Sequence, residues 1–229
     1  LPAVQRRVVE ALKTAGKRIV FVNFSGAAIA LEPESLNCEA ILQAWYPGQA
    51  GGQAVAEVLF GDYNPAGKLP LTFYRNLAQI PDFEEYNMTG RTYRYMKETP
   101  LFPFGHGLSY TTFKYGKLKM NDDKIAVGQN LNLVIPVTNT GSRDGDEVVQ
   151  VYLKKMDDTE GPVKTLRAFK RVRIPAGKTV EVKFSLDDTQ LEWWDEQSNT
   201  MRVCPGNYTV MIGGTSCEKS LLSRAFTIR

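Results

Sequence analysis

Six acidic residues in turn and loop positions are the side chains best suited to acid–base or nucleophilic chemistry. Two carboxylates that flank a scissile bond can act as a proton donor and as a base or nucleophile. Because these residues stand in turns, after a helix-like run and in a long loop, we expect water to solvate each of them. The six residues are Glu34, Glu39, Asp62, Asp82, Glu84 and Glu85.

The thiols and the imidazole offer no second catalytic set. The chain has three cysteines, Cys38, Cys204 and Cys217, and one histidine, His106. The strand-like run between Cys204 and Cys217 would hold them about 20 Å apart, beyond the roughly 7 Å that a disulfide allows between Cα atoms. With one histidine and no C-x-x-C pair, we predict no metal site and no cofactor. A G-x-S-x-G nucleophile motif is also absent.

Two further features have both a functional and a structural interpretation. A glycine-rich turn at residues 48–52 precedes a helix-like run, where backbone N–H groups could hold an anion. Its G-x-x-G-G spacing differs from that of dinucleotide sites, so we predict a tight packing turn, with a nucleotide-binding α/β protein as an alternative. Trp193 and Trp194 could form a sugar-stacking platform, but we predict that one ring lies in the core and one at the surface.

Length and composition predict a globular protein of one large domain or two small ones. The chain has 229 residues, of which 43% are hydrophobic and 23% charged, and its net charge is +3. No Lys/Arg block is long enough to follow a phosphate backbone, so we predict no nucleic-acid partner. No apolar run approaches the roughly 18 residues of a membrane span. The N-terminus lacks an initiator Met and a signal peptide, so we expect an interior stretch of a longer protein.

The first half of the chain alternates helical and strand-like runs. Apolar spacing predicts a helix over 2–15, a strand over 19–24, a weaker helix over 27–31, a strand over 40–45 and a helix over 53–60. This order is typical of a doubly wound, flavodoxin-like parallel sheet whose strands are buried on both faces. Two strands, with a candidate third over 69–74, are fewer than the about four to six of a stable sheet. We therefore expect the missing strands to come from elsewhere in the protein.

The second half changes to a period of two and predicts an antiparallel β-sandwich. Turn signals separate its strands at the spacing of an immunoglobulin- or fibronectin III-like domain. We place the domains at 1–112 and 113–229, and we expect the aromatic-rich loop 73–110 to lie draped over another surface. The predicted strands cover 117–120, 131–139, 147–153, 166–174, 179–186, 192–194, 201–203, 207–213 and 225–229.

Four motifs follow one another along the first half. They read AWYPGQAGG from Ala44, VLFGDYNPAGKLP from Val58, RTYRY from Arg91 and FPFGHGLSYTTF from Phe102. Together they resemble the C-terminal portion of glycoside hydrolase family 3, which comprises β-glucosidases and β-xylosidases. The second half, with VTNTG at 137–141 and LRAFK at 166–170, resembles the fibronectin type III-like domain that ends many members.

The resemblance implies part of a retaining, exo-acting β-glycosidase that hydrolyses O-glycosyl bonds. Members carry an Asp nucleophile on an upstream (β/α)₈ barrel and a Glu general acid/base in the α/β domain, and two such carboxylates form and break a covalent glycosyl-enzyme. In members the acid/base lies just before a Leu-Pro-x-x-Gln helix, which here begins at Leu1. None of the six acidic residues matches a family catalytic motif, and His106 stands where many members have another residue. We therefore assign no catalytic residue, leave the substrate-binding residues unknown and predict that the chain alone is inactive.

The resemblance also implies the partners of the chain. These are the remainder of the parent chain, namely the barrel and the first part of the α/β domain, and an oligosaccharide substrate only in the complete enzyme. Glucosides and xylosides are not separated, although GRTYRY at 90–95 is slightly more like the xylosidase branch. Relatives are often exported, which favours a periplasmic or secreted parent enzyme. The alternative is a standalone carbohydrate- or protein-binding sandwich module, which would have an exposed aromatic strip on one sheet face.

Overall fold

A two-stranded parallel sheet forms the centre of the first half of the chain in the computed structural model, which describes residues 1–229. Strands β1 (Val20–Asn23) and β2 (Ala40–Gln43) pair in register along their whole length. The predicted parallel pairing is therefore confirmed. The prediction that this sheet is buried on both faces is wrong for this chain, because Val20 of β1 is 52% exposed.

Four helices and one short 3₁₀ turn accompany this sheet. Helix α1 ends before Gly16 and α3 before Gly61, and both glycines have the positive φ that closes a helix at low cost (69° and 84°). None of the helices of the chain is both long and apolar enough to cross a bilayer. The bounds are α1 Ala3–Thr14, α2 Glu32–Asn37, α3 Gly51–Phe60, the 3₁₀ turn Leu77–Gln79 and α4 Thr92–Tyr95.

Two elements predicted for the first half are wrong. The helix expected over 27–31 begins only at Glu32, because Pro33 fits the first turn of a helix but would break one that continued from residue 27. The strand expected over 69–74 is reduced to a single bridge between Phe73 and Phe102. Pro70 has no N–H to donate to a ladder, and the flanking backbone bonds instead to residues 102–106.

Two antiparallel sheets make up the second half, as predicted. The larger has the order β5-β13-β12-β7-β8, with one parallel pair, β13 with β5; in the smaller, β6 pairs with β3, β4 and β9. A short hairpin, β10-β11, lies beside them after helix α5 (Asp188–Leu191). The strands are β3 Phe113–Tyr115, β4 Lys119–Met120, β5 Lys124–Ile125, β6 Leu131–Asn139, β7 Gly145–Lys155, β8 Thr165–Ile174, β9 Thr179–Leu186, β10 Trp193–Asp195, β11 Thr200–Arg202, β12 Gly206–Gly213 and β13 Leu222–Ile228, with a 3₁₀ turn at Glu218–Ser220.

The core of the chain lies between these two sheets. One cluster of 21 buried residues fills the space, and alternate residues of β6, from Leu131 to Val137, are fully buried in it. Trp193 belongs to the cluster while Trp194 is half exposed, which confirms the prediction for that pair. Phe169 and Trp194 are the two exposed aromatic side chains of the second half, and they lie on separate sheets.

The outer face of the larger sheet is covered by the end of the first half, at a contact we call the junction. Tyr93 stacks on Phe104 with ring centroids 4.3 Å apart and meets Tyr152 of β7 edge-on. The Gln150 amide donates to the Gly214 carbonyl at 2.7 Å and to the Gly105 carbonyl at 3.3 Å. The prediction that the aromatic-rich loop 73–110 lies over another surface is therefore confirmed for Tyr93 and Phe104. Strand β3 begins at residue 113, and the domain division at 112/113 stays a prediction.

Candidate functional site

The carboxyl ends of the two parallel strands are the place where a doubly wound sheet binds its ligands. Strand β1 ends at Asn23 and β2 at Gln43, and these two residues are direct partners in the register. Ser25 is the second residue after the end of β1, and it is hydrogen-bonded to both side chains. The parallel pairing thus brings together three neutral polar side chains, which we call the strand-end cluster (Asn23, Ser25 and Gln43).

The strand-end cluster is fully connected by hydrogen bonds. The Asn23 amide donates to Ser25 Oγ at 2.9 Å and to Gln43 Oε1 at 2.5 Å, although Asn23 is only 4% exposed. The Gln43 amide donates to the backbone carbonyl of Ser25 at 3.2 Å. A satisfied amide network of this kind holds its members in one orientation. It can recognise hydroxyl groups, but it contains no titratable group that could transfer a proton.

Two aromatic residues follow the cluster on the β2 side. Trp45 has a φ of 55°, an uncommon left-handed conformation for a bulky residue, and its ring meets Phe73 edge-on at 6.3 Å. Strained backbone of this type concentrates at functional sites. Tyr46 is 78% exposed and lies against Gly26, where an added Cβ would approach the tyrosine ring to 2.6 Å. An exposed ring beside fixed amides is an arrangement suited to binding a sugar.

The sequence motif contained Trp45 and Tyr46, but the strand-end cluster was missed. Asn23 and Gln43 lie near the carboxyl ends of the predicted strands 19–24 and 40–45, and this position was the available signal. The expected tight turn at 48–52 leads into α3, whose first residues are Gly51 and Gly52, and Gly51 packs so closely on Pro47 that a Cβ would lie 2.6 Å from the proline ring.

The six acidic residues do not join the strand-end cluster in its hydrogen bonds. Asp62, Asp82, Glu84 and Glu85 are exposed, as expected. Glu39 is also exposed, and the N–H of Ile19 that donates to it at 2.6 Å is the largest cause of its lowered pKa.

The expectation of a solvated side chain was wrong for Glu34. It is fully buried, and Arg6 of α1 binds both of its carboxylate oxygens, at 2.9 and 3.3 Å. A carboxylate that is paired in this way ties α2 to α1 and has little freedom to act as a base. The sequence could not indicate this pairing, because the partners are 28 residues apart.

His106 lies at the junction, where it stacks on Phe102 with ring centroids 5.2 Å apart. Burial, and then the positive charge of Lys68, lowers its pKa, so the ring is neutral at pH 7. Lys68 itself forms a largely buried ion pair with Glu147 of β7 at 3.1 Å. Burial raises the pKa of Glu147, and Lys68 opposes that rise. The Lys68–Glu147 ion pair therefore links the two halves of the chain.

The three cysteines are free. Burial, and then the charge of Glu34, raises the pKa of the Cys38 thiol, which disfavours the thiolate that a nucleophile requires. Cys204 is buried in the sandwich, where Tyr208 donates to its backbone carbonyl at 2.7 Å.

Comparison with known families accounts for both halves of the chain. Residues 1–110 match the glycosyl hydrolase family 3 C-terminal domain, and residues 147–216 match a fibronectin type III-like domain. This chain belongs to glycoside hydrolase family 3. It corresponds to the end of the α/β domain and the fibronectin-like domain of that family, as the motifs predicted.

Among curated relatives, the xylan 1,4-β-xylosidase of Xylanibacter ruminicola is 53% identical over 228 residues, which is 100% of this chain and 26% of that protein. The periplasmic β-glucosidase of Salmonella typhimurium is 38% identical over 95% of this chain and 30% of its own length. A β-glucosidase structure from Erythrobacter marinus superposes with a TM-score of 0.86 at 38% identity, over 98% of this chain and 30% of that one. The chain thus spans about a quarter to a third of these family 3 proteins.

Proposed function

We propose that this chain is the C-terminal part of a retaining, exo-acting β-glycosidase and that it shapes the sugar site without supplying the reacting carboxylates. The single observation that supports this most strongly is the similarity to named β-xylosidases and β-glucosidases along the whole chain. The strand-end cluster and Tyr46 offer hydrogen bonds and a ring face, and the six acidic residues lie outside that arrangement. The nucleophile and the general acid/base are then contributed by other parts of the protein.

β-Xylosides are the first substrate class in this proposal and β-glucosides the second. The relative named as a xylan 1,4-β-xylosidase has 53% identity, whereas that named as a periplasmic β-glucosidase has 38%. The two sugars differ by one exocyclic hydroxymethyl group, which a site rejects by steric contact rather than by charge. The discriminating contacts would therefore be made by side chains that close around C5 of the sugar.

Hydrolysis of p-nitrophenyl β-xyloside and β-glucoside by the full-length protein tests the proposal. We expect turnover by the full-length enzyme, faster on the xyloside, and none above the buffer rate by the 229-residue chain purified alone. In the full-length enzyme, Tyr46→Ala should raise KM about tenfold, a loss of about 1.4 kcal/mol, because the ring face against the sugar is removed. Tyr86→Ala is the matched control, because Tyr86 is 91% exposed and belongs to the loop between the 3₁₀ turn and α4 rather than to the segment that follows β2.

Hydrolysis by the isolated chain would refute the division of labour. An inactive full-length protein would refute the glycosidase itself. The alternative of a standalone binding module predicts that the isolated chain migrates more slowly in gels that contain xylan or β-glucan. The two exposed aromatic side chains of the sandwich lie on separate sheets and do not form the strip that such a module needs, so we expect no retardation.

A further inference from the structure

A cluster of unpaired polar atoms lies at the start of β8, away from the strand-end cluster. Five buried side-chain atoms of the whole chain have no hydrogen-bond partner, and three of them belong to Arg94, Thr165 and Arg167. The backbone brings these residues together, because the N–H of Val163 donates to the Arg94 carbonyl at 2.7 Å. Buried polar groups of folded proteins are nearly always hydrogen-bonded. Three such exceptions in one place therefore require an explanation.

None of the guanidinium nitrogens of Arg94 has a hydrogen-bond partner in this chain. Its Nε is buried, its Nη atoms make no hydrogen bond and remain in contact with solvent, and its guanidinium carbon lies 5.5 Å from the centroid of the Tyr95 ring. A guanidinium presents five donors in a planar fork that matches the oxygens of a carboxylate or phosphate. The accessible end of Arg94 is thus an unused anion-binding fork.

Arg167 reaches the same region from a β-bulge. Leu166 pairs with Tyr152 and Ala168 with Val151, which leaves Arg167 as an extra residue without a partner on β7. Bulges redirect a side chain and recur near functional sites. The redirected guanidinium lies over the Trp193 ring at 5.1 Å and donates once, to the Glu192 carbonyl at 2.7 Å. Its Nε stays unpaired, as does the hydroxyl of Thr165, two residues earlier on the strand.

No carboxylate neutralises this pair of arginines. Neither takes part in the nine salt bridges of the chain, whereas the neighbouring Lys164 is paired with Glu218 at 3.5 Å. Burial, and then the charge of Arg94, lowers the pKa of Arg167, and the charge of the Glu192 carboxyl only partly opposes this. Two like charges held near each other are relieved by an anion that bridges them.

We propose that Arg94, Thr165 and Arg167 form a binding site for a small oxyanion with several acceptor oxygens. A carboxylate on an acidic sugar and inorganic phosphate share this chemistry. The site does not depend on the proposed glycosidase activity, because none of its residues belongs to the strand-end cluster. Occupancy would join α4 to the bulge of β8 and so strengthen the junction between the two halves of the chain.

Calorimetric titration of the 229-residue chain tests the site. The probes are sodium glucuronate and sodium phosphate at constant ionic strength, with glucose as the neutral control. We expect saturable, one-to-one binding of at least one anion and none of glucose. Binding of glucuronate alone would identify a carboxylate ligand, and binding of phosphate alone would identify phosphate; both results support the site. Saturable binding of neither anion would overturn it.

Variants locate the binding on the chain. Arg94→Gln and Arg167→Gln should each weaken the anion about tenfold or more, the effect of losing a charge-assisted hydrogen bond. Arg94→Lys should restore only part of the affinity, because an ammonium lacks the planar fork. Arg173→Gln is the matched control, since Arg173 lies on the same strand, is exposed and already has Asp144 at 3.2 Å. An equal loss in Arg173→Gln, or no loss in Arg94→Gln, would overturn the proposal, and circular dichroism confirms that each variant is folded.

Discussion

The β-sandwich and the α/β part of this chain differ in how they bury their apolar side chains. In the sandwich, 21 buried residues form one continuous cluster between two sheets. In residues 1–112 the buried apolar side chains are few and scattered, while Val4 and Val8 of α1, Phe24 after β1 and Phe60 of α3 are exposed. The sandwich therefore contains its own stabilising core. The α/β part has apolar surface that calls for further protein against it.

Separating the two halves should have the largest effect of any change. We expect residues 113–229 alone to unfold cooperatively in urea, since the core cluster lies within them. Residues 1–112 alone should show no cooperative transition, because a two-stranded sheet with open edges buries too little surface to offset its chain entropy. Circular dichroism during urea titration measures both. A cooperative transition in 1–112 would remove the distinction between the halves.

A buried methyl-rich side chain should matter far more in the sandwich than on α1. Ile135→Ala removes a fully buried side chain of β6 and should cost about 2–5 kcal/mol of unfolding free energy. Val8→Ala on the exposed side of α1 should change it by less than about 0.5 kcal/mol. The shift of the urea midpoint at constant slope gives both values. Similar losses from the two variants would show that α1 is covered as fully as β6.

The ion pair at the junction tests how firmly the halves are joined. Lys68→Met leaves the Glu147 carboxylate nearly buried and unpaired, and this should cost on the order of 2–3 kcal/mol, less than a fully buried pair because some solvent reaches Lys68. Lys119→Met breaks the exposed pair with Glu181 at 3.7 Å and should cost at most about 1 kcal/mol.

The Lys68→Met variant should also change the pH dependence of stability. Burial raises the pKa of Glu147 in the folded protein above the ordinary 4.5, so the folded state holds this proton more tightly than the unfolded state. Stability that depends on Glu147 therefore declines as the pH rises above 4.5. Since Lys68 lowers the pKa of Glu147, Lys68→Met should make this decline steeper. A pH dependence identical to that of the unaltered chain would contradict the assigned pairing.

Replacing the single histidine, His106, should have the smallest effect on stability. Burial and the charge of Lys68 place the pKa of His106 below 6.5 in the folded chain, so stability is lost as the pH falls below 6.5 and the unfolded state takes up the proton. His106→Phe keeps a flat ring against Phe102 and should flatten this part of the pH profile. NMR titration of the one imidazole gives its pKa directly. A value above 6.5 would show that the junction is open to water.

Local sequence patterns predicted the sandwich far better than the α/β part. Strands β6 and β9 were predicted to the residue. Apolar and polar residues alternate strictly in β9, every second residue of β6 from Leu131 to Val137 is apolar, and turns bound both strands. The two-residue strand β5 was missed, because so short a segment has no measurable period. In the first half, the order of helices and strands was predictable, but Pro33 and Pro70 displaced or removed the elements next to them.

The candidate site could be predicted only in part. The exposed ring of Tyr46 lies in a recognisable motif, whereas the joining of Asn23, Ser25 and Gln43 depends on strand pairing across about 20 residues, a tertiary contact that local patterns do not encode. The burial of Glu34 by Arg6 depends on helix packing in the same way.

Gly105 has a consequence for the exchange of modules between relatives. Its φ is 76°, and a Cβ at this position would come within 2.1 Å of Gln150 Oε1. A chimera that joins a foreign fibronectin-like module after residue 112 would thus keep a glycine whose neighbour in this chain is the side-chain amide of Gln150. Such a module keeps this contact only if it too places a glutamine amide at this point, because the Gln150 amide donates to the Gly105 carbonyl at 3.3 Å, whereas the glycine itself leaves room for other residues.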